Sequence, residues 1–249
     1  MKTVKLLPLI SIMTVVALVG CQPKQDQTTK VEKTDIPLIQ AKVVTVKIPK
    51  QKVCLEDGCT NYDLQTVETN QKWIDDYFVN RMKKAEPNAF ADLPDQQVKE
   101  PANQALQSES STYVRFVGQN YNLATFAIQT YSYSAGAAHG MSHQEFVNFD
   151  LANKKHITVS ELLKPDMNQK LRDELYAANQ NWLEEHNVKK DQLEVSDNYY
   201  YGVNGIVFVY PLYELASYAE GMSELTLPYY AAKQFIKAEY LPSLPKEPN

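Results

Sequence analysis

Along residues 122–133 the side chains alternate, with Ala124, Phe126 and Ile128 falling on one side and Thr125, Gln129 and Tyr131 on the other. A period of two is the pattern of a half-buried strand. Tyr113-Val-Arg-Phe-Val117 precedes it through Gly118-Gln119-Asn120, so residues 112–133 read as a hairpin. Residues 41–48 alternate in the same way, with Val44, Val46 and Ile48 inward, and Pro49 confines that strand to an edge or an end. A second hairpin is expected where Phe146, Phe149 and Leu151 precede the turn Ala152-Asn153-Lys154 and Ile157 and Val159 follow it. Tyr199-Tyr-Tyr201 and Ile206-Val-Phe-Val-Tyr210 flank Gly202 and Gly205, and the second run is apolar throughout, which predicts a strand buried on both faces. Residues 224–227 give a last strand.

Elsewhere the spacing changes to three and four. Trp73, Ile74, Tyr77, Phe78, Arg81 and Met82 predict a helix over 70–85, capped by Thr69 and ended at Glu86-Pro87. Leu171, Leu175, Ala178 and Trp182 predict a second helix over 168–186. Ser160 is expected to cap a short helical turn before Pro165, Pro211 to open a short helix through Ser217, and Pro228 to open a closing helix over 229–239. Residues 96–107 offer a further helical piece, and 189–198 a charged surface connection. The expected fold class is α+β, as two sequential antiparallel-sheet-plus-helix halves over 41–142 and 143–241, followed by a tail over 242–249. Residues 131–163 form the seam, with the first half ending near His139 and the second beginning near Glu145.

The N-terminus has a different logic. Lys2 and Lys5 precede an apolar run over 6–19, then Leu18-Val19-Gly20-Cys21. A basic start, a short apolar core and small residues describe an export signal over 1–20. The run is shorter than the ~20 residues that span a bilayer. Leu-Val-Gly-Cys looks like a lipobox, in which Cys21 becomes the acylated first residue of the mature chain; the bland alternative is ordinary secretion. Gln22 stands where aspartate would signal inner-membrane retention, so the expected location is the cell envelope, anchored in lipid at the outer membrane and facing the periplasm. Residues 21–40 are polar and aperiodic, as a tether would be. Cys54 and Cys59 then remain, around Asp57-Gly58, a strong hairpin-turn dipeptide. In an exported chain they are expected to form a disulfide.

Loss of residues 1–20 removes two lysines and moves the formal charge from −5 to −7 (−5 minus 2). That balance argues against nucleic acid and suits a basic protein partner, or simply solubility. The 16 tyrosines outnumber phenylalanine and tryptophan together, which fits half-buried strand positions as well as a binding surface.

Two segments carry a resemblance. Tyr131-Ser-Tyr-Ser-Ala-Gly-Ala-Ala-His-Gly140 with Asn148-Phe-Asp-Leu151 resembles the "Y-x-Y-x-G-G-A-H-G … N-F-D-L-x-T-G-K" signature of an extracytoplasmic domain. That domain is found in RsiV-type anti-sigma factors and beside the catalytic domain of PdaC-type deacetylases. Val207-Phe-Val-Tyr-Pro-Leu-Tyr-Glu-Leu-Ala-Ser-Tyr-Ala-Glu-Gly221 resembles the "F-x-P-Y-E-I-A-P-Y-A-x-G" element of the same family, and the likeness extends over 43–241. Ala137 replaces one family glycine, and Ala152-Asn153-Lys154 replaces T-G-K. Neither a sigma-binding segment ahead of Cys21 nor a deacetylase domain after Asn249 is expected. The resemblance therefore implies only the sensing half, which in the anti-sigma proteins binds lysozyme.

His139, His143 and Glu145 could in principle hold zinc with an open position for water. The helical H-E-x-x-H arrangement is missing, because Gly140-Met141-Ser142 intervene in an expected loop. There is no G-x-S-x-G elbow for a serine nucleophile and no glycine loop for nucleotide phosphates. Glu214 is expected as a helix-start charge or a buried hydrogen-bonding group. The leading expectation is a non-enzymatic envelope protein without a cofactor. It would bind a lysozyme-like wall hydrolase or peptidoglycan through His139, Gly140, His143, Glu145, Tyr213, Glu214 and Tyr218. The alternatives are a metal-dependent wall hydrolase using His139 and His143, or a structural envelope lipoprotein.

Overall fold

A computed structural model describes residues 36–55, 58–94 and 107–242; the expected signal, Cys21, most of the tether, the expected 96–107 helix but for Gln107 and the tail beyond Pro242 lie outside these residues. The elements in chain order are β1 (Ala41–Thr45), β2 (Lys52–Leu55), β3 (Gly58–Thr69), α1 (Lys72–Ala85), α2 (Pro87–Phe90), β4 (Ser108–Asn120), β5 (Leu123–Tyr133), β6 (Met141–Asp150) and β7 (Lys155–His156). There follow α3 (Val159–Leu162), α4 (Asn168–Ala178), α5 (Gln180–Glu185), β8 (Tyr199–Tyr201), β9 (Gly205–Tyr210), β10 (Ser223–Pro228) and α6 (Tyr229–Phe235). Single 3₁₀ turns stand at Tyr218–Glu220 and Ala238–Tyr240. The fold is α+β with two sheets.

The large sheet runs β1-β3-β4-β5-β6-β7, and β2 pairs with the other end of β3. All its pairs are antiparallel except one: β3 and β4 are parallel, joined by a crossover that carries α1. The expectation of wholly antiparallel halves is corrected at this point. The cause is β3, a twelve-residue strand whose polar, irregular sequence hides its period. Helix α1 lays Ile74, Phe78 and Met82 on Leu64, Val114, Phe126, Ile128, Val147 and Phe149, all buried. Their rings meet edge to face, as with Trp73 on Phe149 at 5.1 Å and 85°. Thr69 does not cap α1; its hydroxyl donates to Asp75 at 2.7 Å and accepts from the Gln71 N–H at 3.0 Å, bracing the strand-to-helix turn. Cys54 and Cys59 are disulfide-bonded across the β2–β3 register, as expected.

The small sheet runs β10-β9-β8 and packs with α3, α4 and α6 around Leu171, Leu175, Phe208, Leu225 and Phe235. All six residues of β9 are buried, in line with the unbroken apolar run. At Gly205 the β10 backbone at Leu227 approaches so closely that a Cβ would overlap its carbonyl oxygen, so glycine is required. The expected 168–186 helix is two helices. Asn179 ends α4 and pins it to β10, its amide donating to Leu175 O (2.7 Å) and Thr226 O (3.1 Å) and its Oδ1 accepting from Thr226 N–H (3.1 Å). The break rotates the apolar face, so Leu183 is buried while Ala178 is exposed. Thr158 rather than Ser160 caps α3, through a capping box with Glu161. Residues 211–217 form turns in place of the expected helix.

The boundary between halves also moves. β6 pairs with β5 over ten residues and with β7 beyond it, so residues 143–156 belong to the large sheet and the second half starts after His156. The outer edge of β6 is closed by one side chain: Asn198 Oδ1 accepts from Phe146 N–H (2.8 Å) while its Nδ2 donates to Gln144 O (2.8 Å). A carboxamide thus stands in for a neighbouring strand. Deeper in, buried Asn148 donates to Tyr199 O (2.7 Å) and accepts from the Thr125 hydroxyl (2.7 Å), which ties the two halves together.

Candidate functional site

Alternation assigns the β5 and β6 side chains to two faces. Thr130, His143 and Glu145 share the α1 side with Phe126 and Phe149. Gln129, Tyr131, Ser142 and Gln144 share the far side, which faces the 211–224 segment across a cleft. The loop over 134–140 joins β5 to β6 at that end; Gly136 takes φ +84° and Ala137 N–H donates back to Ser134 O at 3.0 Å.

Three rings from distant parts of the chain stack here. His139 lies against Tyr218 with centroids 4.6 Å apart, and Tyr218 against Tyr213 at 5.5 Å and 28°. The Tyr218 hydroxyl donates to Gly140 O at 3.2 Å, and His139 Nδ1–H donates to the same oxygen at 3.0 Å. Gly140 is buried with its Cα against the Tyr131 ring; any side chain would overlap that ring, which explains glycine at this place. The rings themselves remain open to solvent, Tyr213 being 57% exposed and Tyr218 38%. Tyr213 takes φ +70°, a left-handed conformation rare for a bulky residue. Glu214 sits in the turn that follows, exposed, its N–H donating to Pro211 O at 3.2 Å; its expected roles at a helix start or as a buried group are both corrected. Partial desolvation raises its carboxyl pKa.

His143 and Glu145 are not in a loop but on β6, and they face α1. Glu145 pairs with Arg81, which also donates to the Tyr77 hydroxyl at 3.3 Å. Together they border a cavity of about 120 Å³ floored by Phe78, Met82 and Ile128. The structure therefore brings together His139, Gly140, Tyr213 and Tyr218 and leaves His143 and Glu145 on the other face of the sheet. Among the described residues no three His, Cys, Asp or Glu side chains converge as a metal would need.

Sequence reasoning passed over Tyr131, Gln129 and Gln144 as cleft-lining groups, although the alternation already put Tyr131 and Gln129 on one face. It also passed over His186. That ring stacks on Trp182 at 3.9 Å, donates Nδ1–H to Trp182 O (2.7 Å) and donates Nε2–H to Glu220 (2.6 Å). Both ring nitrogens face acceptors, so the imidazolium is the favoured form: the Glu220 hydrogen bond raises the His186 pKa, and His186 lowers that of Glu220. Glu220 in turn receives the Ser217 hydroxyl at 2.8 Å, so α5 braces the turn that carries Tyr218.

Residues 153–230 match the family described as "Protein of unknown function (DUF3298)". The matched stretch runs from the turn after β6 to the start of α6 and includes Tyr213 and Tyr218. No curated protein matches the chain. The fold is similar to the crystal structure of a DUF3298 family protein from Pseudomonas aeruginosa PAO1, at 16% identity and a TM-score of 0.62, covering 84% of this chain and 99% of that one. It is also similar to a DUF3298 member from Bacteroides fragilis NCTC 9343, at 15% identity and a TM-score of 0.57, covering 82% and 96%. At such identities the likeness is one of fold. Among the described residues no helix is long and apolar enough to cross a membrane.

Proposed function

We propose that this chain is a non-catalytic recognition module of the cell envelope, lipid-anchored through Cys21, that engages a wall hydrolase of the lysozyme kind or the wall polymer itself. The observation that carries this reading is the ring ladder His139–Tyr218–Tyr213. The two segments that resemble the RsiV-type family are joined by the Tyr218–Gly140 bond, across a separation of 78 residues. Exposed aromatic rings fixed by backbone contacts have the character of binding anchors, because they add contact area at little cost in side-chain entropy. The excess of negative charge favours encounter with a basic hydrolase, an effect that salt screens.

The test uses the full chain in detergent, presented at low salt to lysozyme and, separately, to peptidoglycan. Retention by one of them, weakened by added salt and by Tyr218→Ala, is the expected result. Retention by neither removes this reading.

A further inference from the structure

We infer that the cleft beside the ring ladder takes a short neutral oligosaccharide, and that the strained backbone of Tyr213 serves to present its ring to that ligand. The inference rests on reading this face as a recognition site and names the chemistry of what enters it. The cleft measures about 550 Å³, between the far face of β5 and β6 and the 211–224 segment. That volume lies within the range of about 300–1,000 Å³ typical of small-ligand sites.

Its lining mixes two kinds of group. Tyr131, Leu212 and Met222 offer apolar walls, while Gln129, Gln144 and Ser142 offer hydrogen-bonding tips between them. A pyranose ring has the same divided character, with C–H faces that lie on aromatic rings and hydroxyls that both donate and accept. A carboxamide answers both needs from one side chain. Among the described residues the charged side chain facing the cleft is that of Glu224, and no lysine or arginine belongs to the lining, so a polyanionic glycan would meet like charge.

Tyr213 is the second observation. Leu212, in the cleft wall, precedes it, and its φ of +70° is a conformation that costs on the order of 1–3 kcal/mol. At 57% exposure the ring recovers little of that cost by burial. What the conformation does achieve is to stack the ring on Tyr218, itself against His139, directly after Leu212 of the cleft wall.

Calorimetric titration of the full chain with chitotetraose and with cellotetraose tests this, with tetragalacturonate as the anionic control and lysozyme and peptidoglycan retention measured alongside. Saturable binding of at least one neutral tetrasaccharide and none of the anionic one is expected. Tyr131→Ala and Gln144→Ala should each weaken it about tenfold or more. Tyr213→Gly should weaken binding to a similar degree while leaving the melting temperature unchanged or raised, since glycine relieves the left-handed strain. A lowered melting temperature in Tyr213→Gly would make the conformation structural and overturn its assigned role. If neither neutral sugar binds while lysozyme or peptidoglycan is retained, the oligosaccharide inference falls and the recognition reading stands. If nothing binds, both fall. Binding unaffected by all three substitutions overturns the placement in this cleft.

Discussion

On the α1 side of the large sheet, Phe126, Val147 and Phe149 are wholly buried and their rings interlock with Phe78 and Trp73. On the opposite side of the same strands, Gln129 and Ser142 are exposed, Tyr131 is 36% exposed, and a cleft takes the place of a covering helix. The strands are the same and the alternation runs through both sets of residues. What differs is the covering layer: α1 buries the centre of one face, while the second half of the chain covers the other only in part. Toward its β7 end the far face is closed by apolar packing of Leu123 and Phe146 against the second half together with specific polar contacts, Asn148 to Tyr199 and Asn198 to the β6 edge. One face therefore has the character of a stability element and the other of a surface where a ligand can compete.

The largest expected effect separates the two faces directly. Phe126→Ala should cost about 3–5 kcal/mol in denaturant unfolding, through lost burial and the cavity left behind. Tyr131→Ala, five residues along the same strand, should cost within about 1 kcal/mol, as surface changes do. Equal losses at both positions would erase the distinction between the faces.

Next comes the polar closure. Asn148→Leu leaves the Tyr199 carbonyl and the Thr125 hydroxyl unpaired in a buried place, and a loss of about 1–3 kcal/mol is expected. A loss near zero would mean that the halves are held by apolar packing alone. The Cys54–Cys59 bridge, with a sequence separation of 5, closes a small loop. Replacing both cysteines with serine should cost about 2 kcal/mol, and since neither cysteine belongs to the cleft lining, glycan binding should persist.

The smallest effect is a pH dependence. The His186 pKa is raised above 6.5, so its contribution is fully present below that value and is lost as pH rises through the folded pKa. The Glu220 pKa is lowered below 4.5, so its contribution is present above that value and is lost as pH falls through the folded pKa. The pair thus acts most strongly between pH 4.5 and 6.5. Glu185 adds to the negative field around the ring. Burial lowers the His156 pKa, which works in the opposite sense by penalising acid, so wild type alone does not isolate the pair. The melting-temperature difference between wild type and His186→Gln does: it should be greatest near pH 6 and fade toward pH 9. A difference that is flat with pH would show that the ring acts by packing on Trp182.

Of the site, the sequence showed the parts without their arrangement. The period-two run put Gln129 and Tyr131 together, and the glycine at 140 stood out between two histidines. His139 and His143 looked like a pair because they are four apart. That spacing carries meaning only on a helix, whereas here a loop ends between them and a strand begins, so the second histidine faces α1. The single helix over 168–186 and the Ser160 cap fail for a similar reason: Asn179 and Thr158, which decide those places, act through partners in another element or a neighbouring turn, and such side-chain bonds are invisible to apolar periodicity.

The amino-acid order by itself determined that there are strands at β1, β4, β5, β6 and β9, an amphipathic α1, and a short disulfide loop, because each depends on neighbours within a few residues. Only the tertiary structure decided that β3 and β4 run parallel, that β6 belongs to the first sheet, and that Tyr213 and Tyr218 meet His139 and Gly140. Those outcomes depend on which edges and faces are left open once the local elements have formed. Backbone hydrogen bonds must be satisfied and apolar faces covered across separations such as the 78 residues between Gly140 and Tyr218, and no local pattern encodes that choice.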